Sequence, residues 1–204
     1  MNKNNTQTLL SNKPLSDTLD MIKACHACAS LLPLPPKPVV YAFPHARLLI
    51  TGQAPGRRVH ETGIPFNDAS GKRLRNWLAM DTELFYHSRL IAFVPMALCY
   101  PGTLPKGGDR PPPSLCADLW RQHLLAFMPD IQLTLLVGSY AQNHVLGKGR
   151  AFERTLRFQE FLPMVYFPLP HPSWRTGQWE RLTPELRNTV LPALRQAVQK
   201  ALFS

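Results

Sequence analysis

Residues Leu48 to Leu78, LLITGQAPGRRVHETGIPFNDASGKRLRNWL, constrain the fold more than any other stretch of the chain. An apolar run, Leu48 to Ile50, stops at a Gly-x-x-Pro-Gly turn between Gly52 and Gly56, and an amphipathic helix begins near Ser70. Strand, glycine-rich loop and helix in this order are how an open α/β sheet presents a ligand site at the carboxyl ends of its strands. Glycine permits positive φ and close backbone approach, and Pro55 fixes the turn. A tight connection without any ligand fits this stretch taken alone equally well.

A chain of 204 residues has room for one well-buried domain. The expected division is a disordered tail over residues 1–16 and a single domain over residues 17–204. The net charge of +10 at pH 7 favours an acidic partner such as nucleic acid, because clustered Lys and Arg release counterions from phosphates. No apolar segment approaches the roughly 20 residues that span a bilayer, and the polar N-terminus lacks the apolar core of a secretory signal. A cytoplasmic protein with no membrane partner is expected, and there four cysteines serve as thiols, metal ligands or catalytic groups rather than disulfides.

In chain order, Ser16 is expected to cap a helix carrying Leu19 and Ile22, which delivers Cys25 and Cys28. Their C-x-x-C spacing suits a shared metal or a redox pair, and buried inert thiols remain open. Five prolines between Leu31 and Ala46 make that segment a rigid surface connector. Arg47 to Thr51 is the first core strand, and Leu90 to Leu98 a second. A Gly- and Pro-rich loop follows Cys99 and closes at Cys116, with a helix over Ala117–Met128. A strand over Leu133–Val137, a helix over Tyr140–Leu146 and a strand over Met164–Leu169 complete the alternation. The last strand runs into Pro170-His171-Pro172-Ser173, a stiff turn on the same sheet edge as the Gly52 loop. Thr183 is expected to cap a closing helix whose Leu186, Val190, Leu194, Val198 and Leu202 face the sheet.

Taken together, GQAPG at Gly52, IPF at Ile64, SGKRL at Ser70, the four cysteines and HPS at His171 resemble the uracil-DNA glycosylase superfamily, nearest to its iron-sulfur (family 4-like) branch. The resemblance spans about residues 17–200. It implies a three-layer α/β/α sandwich around a four-stranded parallel sheet. It also implies a [4Fe-4S] cluster on Cys25, Cys28, Cys99 and Cys116, with zinc the alternative for four thiolates. The implied activity is hydrolysis of the N-glycosidic bond of uracil, or another deaminated base, flipped out of DNA by a monomeric enzyme.

By the same resemblance, Gly52, Gln53 and Ala54 line the edge of the extruded base, Phe66 stacks on it, and His171 bonds the carbonyl oxygen on which charge develops. Asp68 is the first candidate to activate water, ahead of Glu61 and His60; it reads equally well as the cap of the helix near Ser70. Arg57, Arg58, Lys72, Arg73, Arg110, Ser173 and Arg175 are the expected DNA contacts. Two departures stand out. The family's GEAPG and its following acids are replaced by Gln53 and Arg57-Arg58, and its base-reading asparagine by Pro95, which points to the Met96 backbone instead. Two other functions stay open: a DNA-binding protein of this fold without activity, and a hydrolase of a small nucleoside.

Overall fold

A computed structural model describes residues 14–105 and 107–204, with only the backbone of Trp174 and Arg175. The expected tail lies mostly outside the described residues. Four short strands, β1 (Leu48–Thr51), β2 (Ile91–Phe93), β3 (Leu133–Val137) and β4 (Tyr166–Leu169), form one all-parallel sheet in the order β2-β1-β3-β4. Parallel strands need crossovers, and those crossovers cover both faces, so every residue of β1, β2 and β3 is buried.

Alternation along the strands divides the core in two. Leu48 and Ile50 of β1, with Leu133, Leu135 and Val137 of β3, face α3 (Ala69–Leu78) and the closing helix α9 (Leu191–Phe203). Leu49 and Ala92 face the other way, against Ile22 of α1 (Leu15–Lys23) and Trp120 and Leu124 of α5 (Ser114–Ala126). Leu136 packs on Ala141 of α6 (Ser139–Leu146). Shorter helices α2 (Arg57–Thr62), α4 (Thr82–His87), α7 (Ala151–Leu156) and α8 (Trp174–Leu182) fill the connections. The result is the expected α/β/α arrangement on a four-stranded parallel sheet.

Several local expectations are corrected. Ser16 lies inside the first turn of α1, with its hydroxyl on Asp17, and Pro14 occupies the cap position. The second strand is only three residues long: Pro95 has no N–H to donate, and Met96 and Ala97 instead donate to the carbonyls of Gly52 and Gln53. The proline-rich segment is more than a surface connector, since Tyr41 forms an antiparallel bridge with Phe93 and Val39, Ala42 and Ala46 are buried. All five predicted apolar positions from Leu186 to Leu202 are buried. A π turn over Leu186–Val190 precedes α9, whose Pro192 also cannot donate.

Candidate active site

The loop after β1, the start of α3 and the turn after β4 meet at one end of the sheet around a cavity of about 80 Å³. Gly52, Gln53, Ala54, Phe66, Asp68 and His171 all line it, as expected, together with Pro95 and Asp109.

Phe66 is held in a conformation that few side-chain-bearing residues adopt, with φ of 52°. Two features hold it there. The Tyr86 hydroxyl donates to its carbonyl at 3.1 Å and itself accepts from the Arg75 guanidinium at 2.9 Å. Gly71 closes the corner from the other side: a Cβ there would stand 1.6 Å from the Phe66 carbonyl oxygen. The ring is thereby set over the Gly52 loop, where even a Cβ on Gly52 would meet its edge at 3.4 Å. Strain of this kind persists where surrounding contacts over-determine it.

Asp68 both caps α3 and faces the cavity. Its Oδ1 accepts from Gly71 N at 2.8 Å and from Ser70 Oγ at 2.6 Å, which satisfies an orphan helix N–H. Its Oδ2 points to the cavity beside Gly56, where a Cβ would lie 3.8 Å away, the same distance as from Asp109 Oδ2.

His171 follows β4 directly. Gln142, fully buried, donates to the Leu169 carbonyl at 2.8 Å, and Ser173 N donates to the His171 carbonyl at 2.7 Å, as does the Thr176 hydroxyl. Gly138, with φ of 85°, lets the imidazole approach: a Cβ there would be 3.5 Å from His171 Cβ. The residue keeps some solvent exposure at the cavity, although protein atoms crowd around the imidazole. That burial pushes its pKa down, against a smaller upward pull from the Asp68 carboxylate. A neutral ring can donate one hydrogen bond without carrying a charge into the cavity.

Other expected residues are placed elsewhere. Met96 lies on the far side of its own backbone, in a cavity with Pro112 and His144, and its N–H is committed to Gly52, so it does not reach the site. Arg57 and Arg58 are exposed on α2, Arg57 paired with Glu61 at 3.1 Å; Lys72 and Arg110 are exposed, and Ser173 stands at the start of α8. Arg73 is half-buried against α8 and paired with Glu180 at 3.5 Å, so it is not available to a phosphate in this arrangement. The Arg175 side chain lies outside the described residues.

One participant, Asp109, and the side-chain role of another, Gln53, carried no signal of their own in the sequence. Asp109 comes from the loop between Cys99 and Cys116, anchored by an antiparallel bridge between Thr103 and Asp109 and by Arg110 N on the Gly102 carbonyl at 2.7 Å. Gln53 Nε2 donates to the Arg110 carbonyl at 2.8 Å and ties that loop to the pocket. The glutamate of the resembled motif could not make this bond, since an ionised carboxylate only accepts.

On the opposite side of β2, Cys25, Cys28, Cys99 and Cys116 line a second cavity with Ile22, Leu98 and Trp120. All four are free thiols. Among the described residues, no three His, Cys, Asp or Glu side chains are grouped closely enough to hold a single metal ion. The donors aimed at the sulfurs are Leu98 N to Cys116 at 3.2 Å, Trp120 Nε1 to Cys25 at 3.4 Å and the backbone N–H of Lys37 to Cys99. Burial pushes Cys99 up to about 11 and Cys116 up to about 12, and the neighbouring sulfurs push the same way.

Among the described residues no helix is long and apolar enough to cross a membrane. A family model for the Uracil DNA glycosylase superfamily matches residues 38–195, a span that holds the Gly52 loop, Phe66, Asp68, Asp109 and His171. With well over half of its length inside that match and every loop of the cavity drawn from it, the chain belongs to the Uracil DNA glycosylase superfamily.

Proposed function

We propose that this chain is a monofunctional DNA glycosylase, acting as a monomer in the cytoplasm, that hydrolyses the N-glycosidic bond of uracil or another deaminated base flipped out of DNA and leaves an abasic site. The observation that carries this reading is the convergence of Phe66, His171 and the free oxygen of Asp68 on one cavity in a superfamily of glycosylases.

A flipped pyrimidine would stack on Phe66, with the Gly52–Ala54 backbone along its edge. The C1′–N bond breaks with its electron pair moving onto the base, and the neutral His171 ring donates to the carbonyl oxygen where that charge gathers. Asp68 Oδ2 orients a water toward C1′ and takes its proton, while Oδ1 stays fixed on Gly71 and Ser70. Arg57, Arg58, Lys72, Arg110 and Ser173 border the site on the exposed side and suit phosphate contacts.

The four cysteines are proposed to hold a [4Fe-4S] cluster, which places the chain near the iron-sulfur branch. The donor set fits: four thiols from three separate segments, with three N–H groups aimed at sulfur, which favours thiolate. A four-iron cluster also separates its thiolates more widely than a single ion does. When bound, it would supply a structural crosslink between the end of α1, the loop after β2 and the start of α5. Absorbance near 400 nm would support it, and colourless protein carrying zinc would exclude it.

A second reading, a DNA-binding protein of the same fold without activity, is favoured by Pro95 in the pocket wall and by the committed Met96 N–H. Labelled oligonucleotides carrying uracil, hypoxanthine or xanthine, single- and double-stranded, decide between them. Abasic sites that disappear in His171→Ala, by about a hundredfold or more, are expected. DNA binding with no base released from any substrate would establish the second reading.

A further inference from the structure

The side-chain hydrogen-bonding groups of the cavity are few, and most are already committed. Ser70 donates to Asp68, Asp68 Oδ1 caps α3, and the Gln53 amide N–H is on the Arg110 carbonyl. Phe66, Pro55, Pro65, Pro95, Val39, Val59 and Val137 offer no side-chain donor or acceptor. Pro95 lacks a backbone donor as well. An imide or lactam base presents a ring N–H beside a ring carbonyl, and reading that pair takes one acceptor and one donor side by side. His171 provides a single donor and Asp68 Oδ2 a single acceptor, from different elements.

We propose that Asp109, in its carboxylic-acid form, reads the edge of the base, its hydroxyl donating to a ring carbonyl and its own carbonyl oxygen accepting from the adjacent ring N–H. The inference rests on the glycosylase reading and names its substrate class: bases with neighbouring N–H and C=O groups, such as uracil, hypoxanthine and xanthine. A carboxylic acid has nearly the shape of a primary amide and the same pairing of donor and acceptor on one planar group.

The placement supports this. Asp109 Oδ2 and Asp68 Oδ2 flank the same point beside Gly56, and two carboxylates facing one cavity resist double ionisation. Asp68 Oδ1 is committed, accepting an N–H and an O–H at a helix N-terminus. Asp109 is an exposed residue at the cavity rim, and its Oδ2 is turned toward Gly56. Desolvation first and the Asp68 charge second raise its pKa. The other charged groups around it do not reverse that direction: Arg57 pairs with Glu61, Arg58 is exposed on α2, Arg110 lays its Cδ beside Gly102 and Pro33, and the pKa of His171 is lowered. A base entering the cavity displaces the remaining water from Asp109 and favours the neutral form further. The Gln53 bond to Arg110 holds the loop that carries it.

Single-turnover removal of uracil and of hypoxanthine from single-stranded DNA, followed from pH 5 to 8.5, tests the assignment with Asp109→Asn and Asp109→Ala. Ionising Asp109 deletes the donor and sets a negative charge against the departing base, so the wild-type rate should fall as pH rises through the pKa of Asp109. Asparagine keeps both hydrogen bonds and does not titrate: Asp109→Asn should stay within about threefold of the wild-type plateau and lose that alkaline fall, whereas Asp109→Ala should be slower by about ten- to a hundredfold throughout. Thermal melting of both variants identifies any loss due to unfolding. An Asp109→Asn protein that melts normally and is as slow as Asp109→Ala, or that keeps the alkaline fall, overturns the assignment and leaves the glycosylase reading intact. Wild-type protein that releases no base overturns both.

Discussion

Two of the cavities flank the short edge strand β2 and are built by opposite means. The cavity after β1 is fixed by directed contacts that exist without any ligand: a capped helix, a braced positive-φ phenylalanine, glycines that admit neighbouring side chains, and a loop latched by Gln53. The cysteine cavity is fixed by apolar packing around four free cysteines, with N–H···S contacts from Leu98, Trp120 and the Lys37 backbone as polar links. On the proposed reading, the first would hold donors and acceptors aimed at a guest whose charge changes during reaction, where preorganisation lowers the barrier. The second would take a permanent occupant that displaces protons to bind. On that reading turnover belongs to one cavity and assembly to the other.

The sharpest way to break the first half of this contrast is Gly71→Ala. A Cβ at 1.6 Å from the Phe66 carbonyl oxygen cannot be accommodated by a side-chain movement, so the corner must open. We expect a loss of about 3 kcal/mol or more in urea unfolding, together with loss of base release. Stability within about 0.5 kcal/mol of wild type would mean that Phe66 is not held by the corner in the way described.

His171 in the first cavity and the cysteines of the second should also answer pH with opposite signs. His171 has a folded pKa below its unfolded value, so its contribution is complete above about pH 6.5 and is lost as pH falls through the folded value. Cys99 and Cys116 have folded values of about 11 and 12, so their contribution in the thiol state is complete below about pH 9 and is lost as pH rises toward those values. Urea midpoints of the thiol-state protein should therefore fall on both sides of a plateau, by the equivalent of about 1 kcal/mol or more on the alkaline side. Cys116→Ser should make the alkaline side shallower without moving the acidic side, since Cys99 remains, and His171→Gln should make the acidic side shallower without moving the alkaline side, since His60 and His144 remain. A single variant that moved both limbs would show the cavities to be coupled rather than separate.

How much of each cavity was legible in the sequence follows the same division. Periodicity and turn residues carry the strand-loop-helix of Leu48 to Leu78, the closing helix and the turn at His171, because backbone preferences act over a few residues. The cysteines could be grouped through a family pattern, since spacing alone left Cys25 and Cys28 ambiguous. Asp109 and the side-chain role of Gln53 were not legible: their partners lie 41 and 57 positions away, at Asp68 and Arg110, and loop composition does not encode which acid turns inward. Met96 misled for the related reason that a backbone N–H is either free or committed only once the fold brings Gly52 beside it. The shortness of β2 traces to Pro95, whose missing donor an apolar run conceals.

Asp68 allows the cap and the proposed reaction to be pulled apart. Alanine there removes an N-cap acceptor and should cost about 1 kcal/mol, while asparagine, itself a good cap, should leave stability nearly unchanged. Both should slow base release by about a hundredfold, since neither can take a proton from water. An Asp68→Asn protein with wild-type release rates would leave Asp68 with the cap alone, and the water would need a different base.

The smallest effect is expected at Gln53, and it bears most directly on the claim that the first cavity is complete before its guest arrives. Glutamate at this position cannot donate to the Arg110 carbonyl, and it adds a negative charge beside Asp68 and Asp109. Loss of one exposed hydrogen bond contributes on the order of 0.5–1 kcal/mol at most, so global stability should barely change. The local consequence should be larger than the global one. Arg110 N donates to Gly102 and Leu104 N to Gly108 within the latched loop, and both amides should exchange faster with solvent in Gln53→Glu while amides of β3 do not. Unchanged exchange at Leu104 and Arg110 would mean that the loop is held by its own turn and the Thr103–Asp109 bridge, and that Gln53 only rests against it.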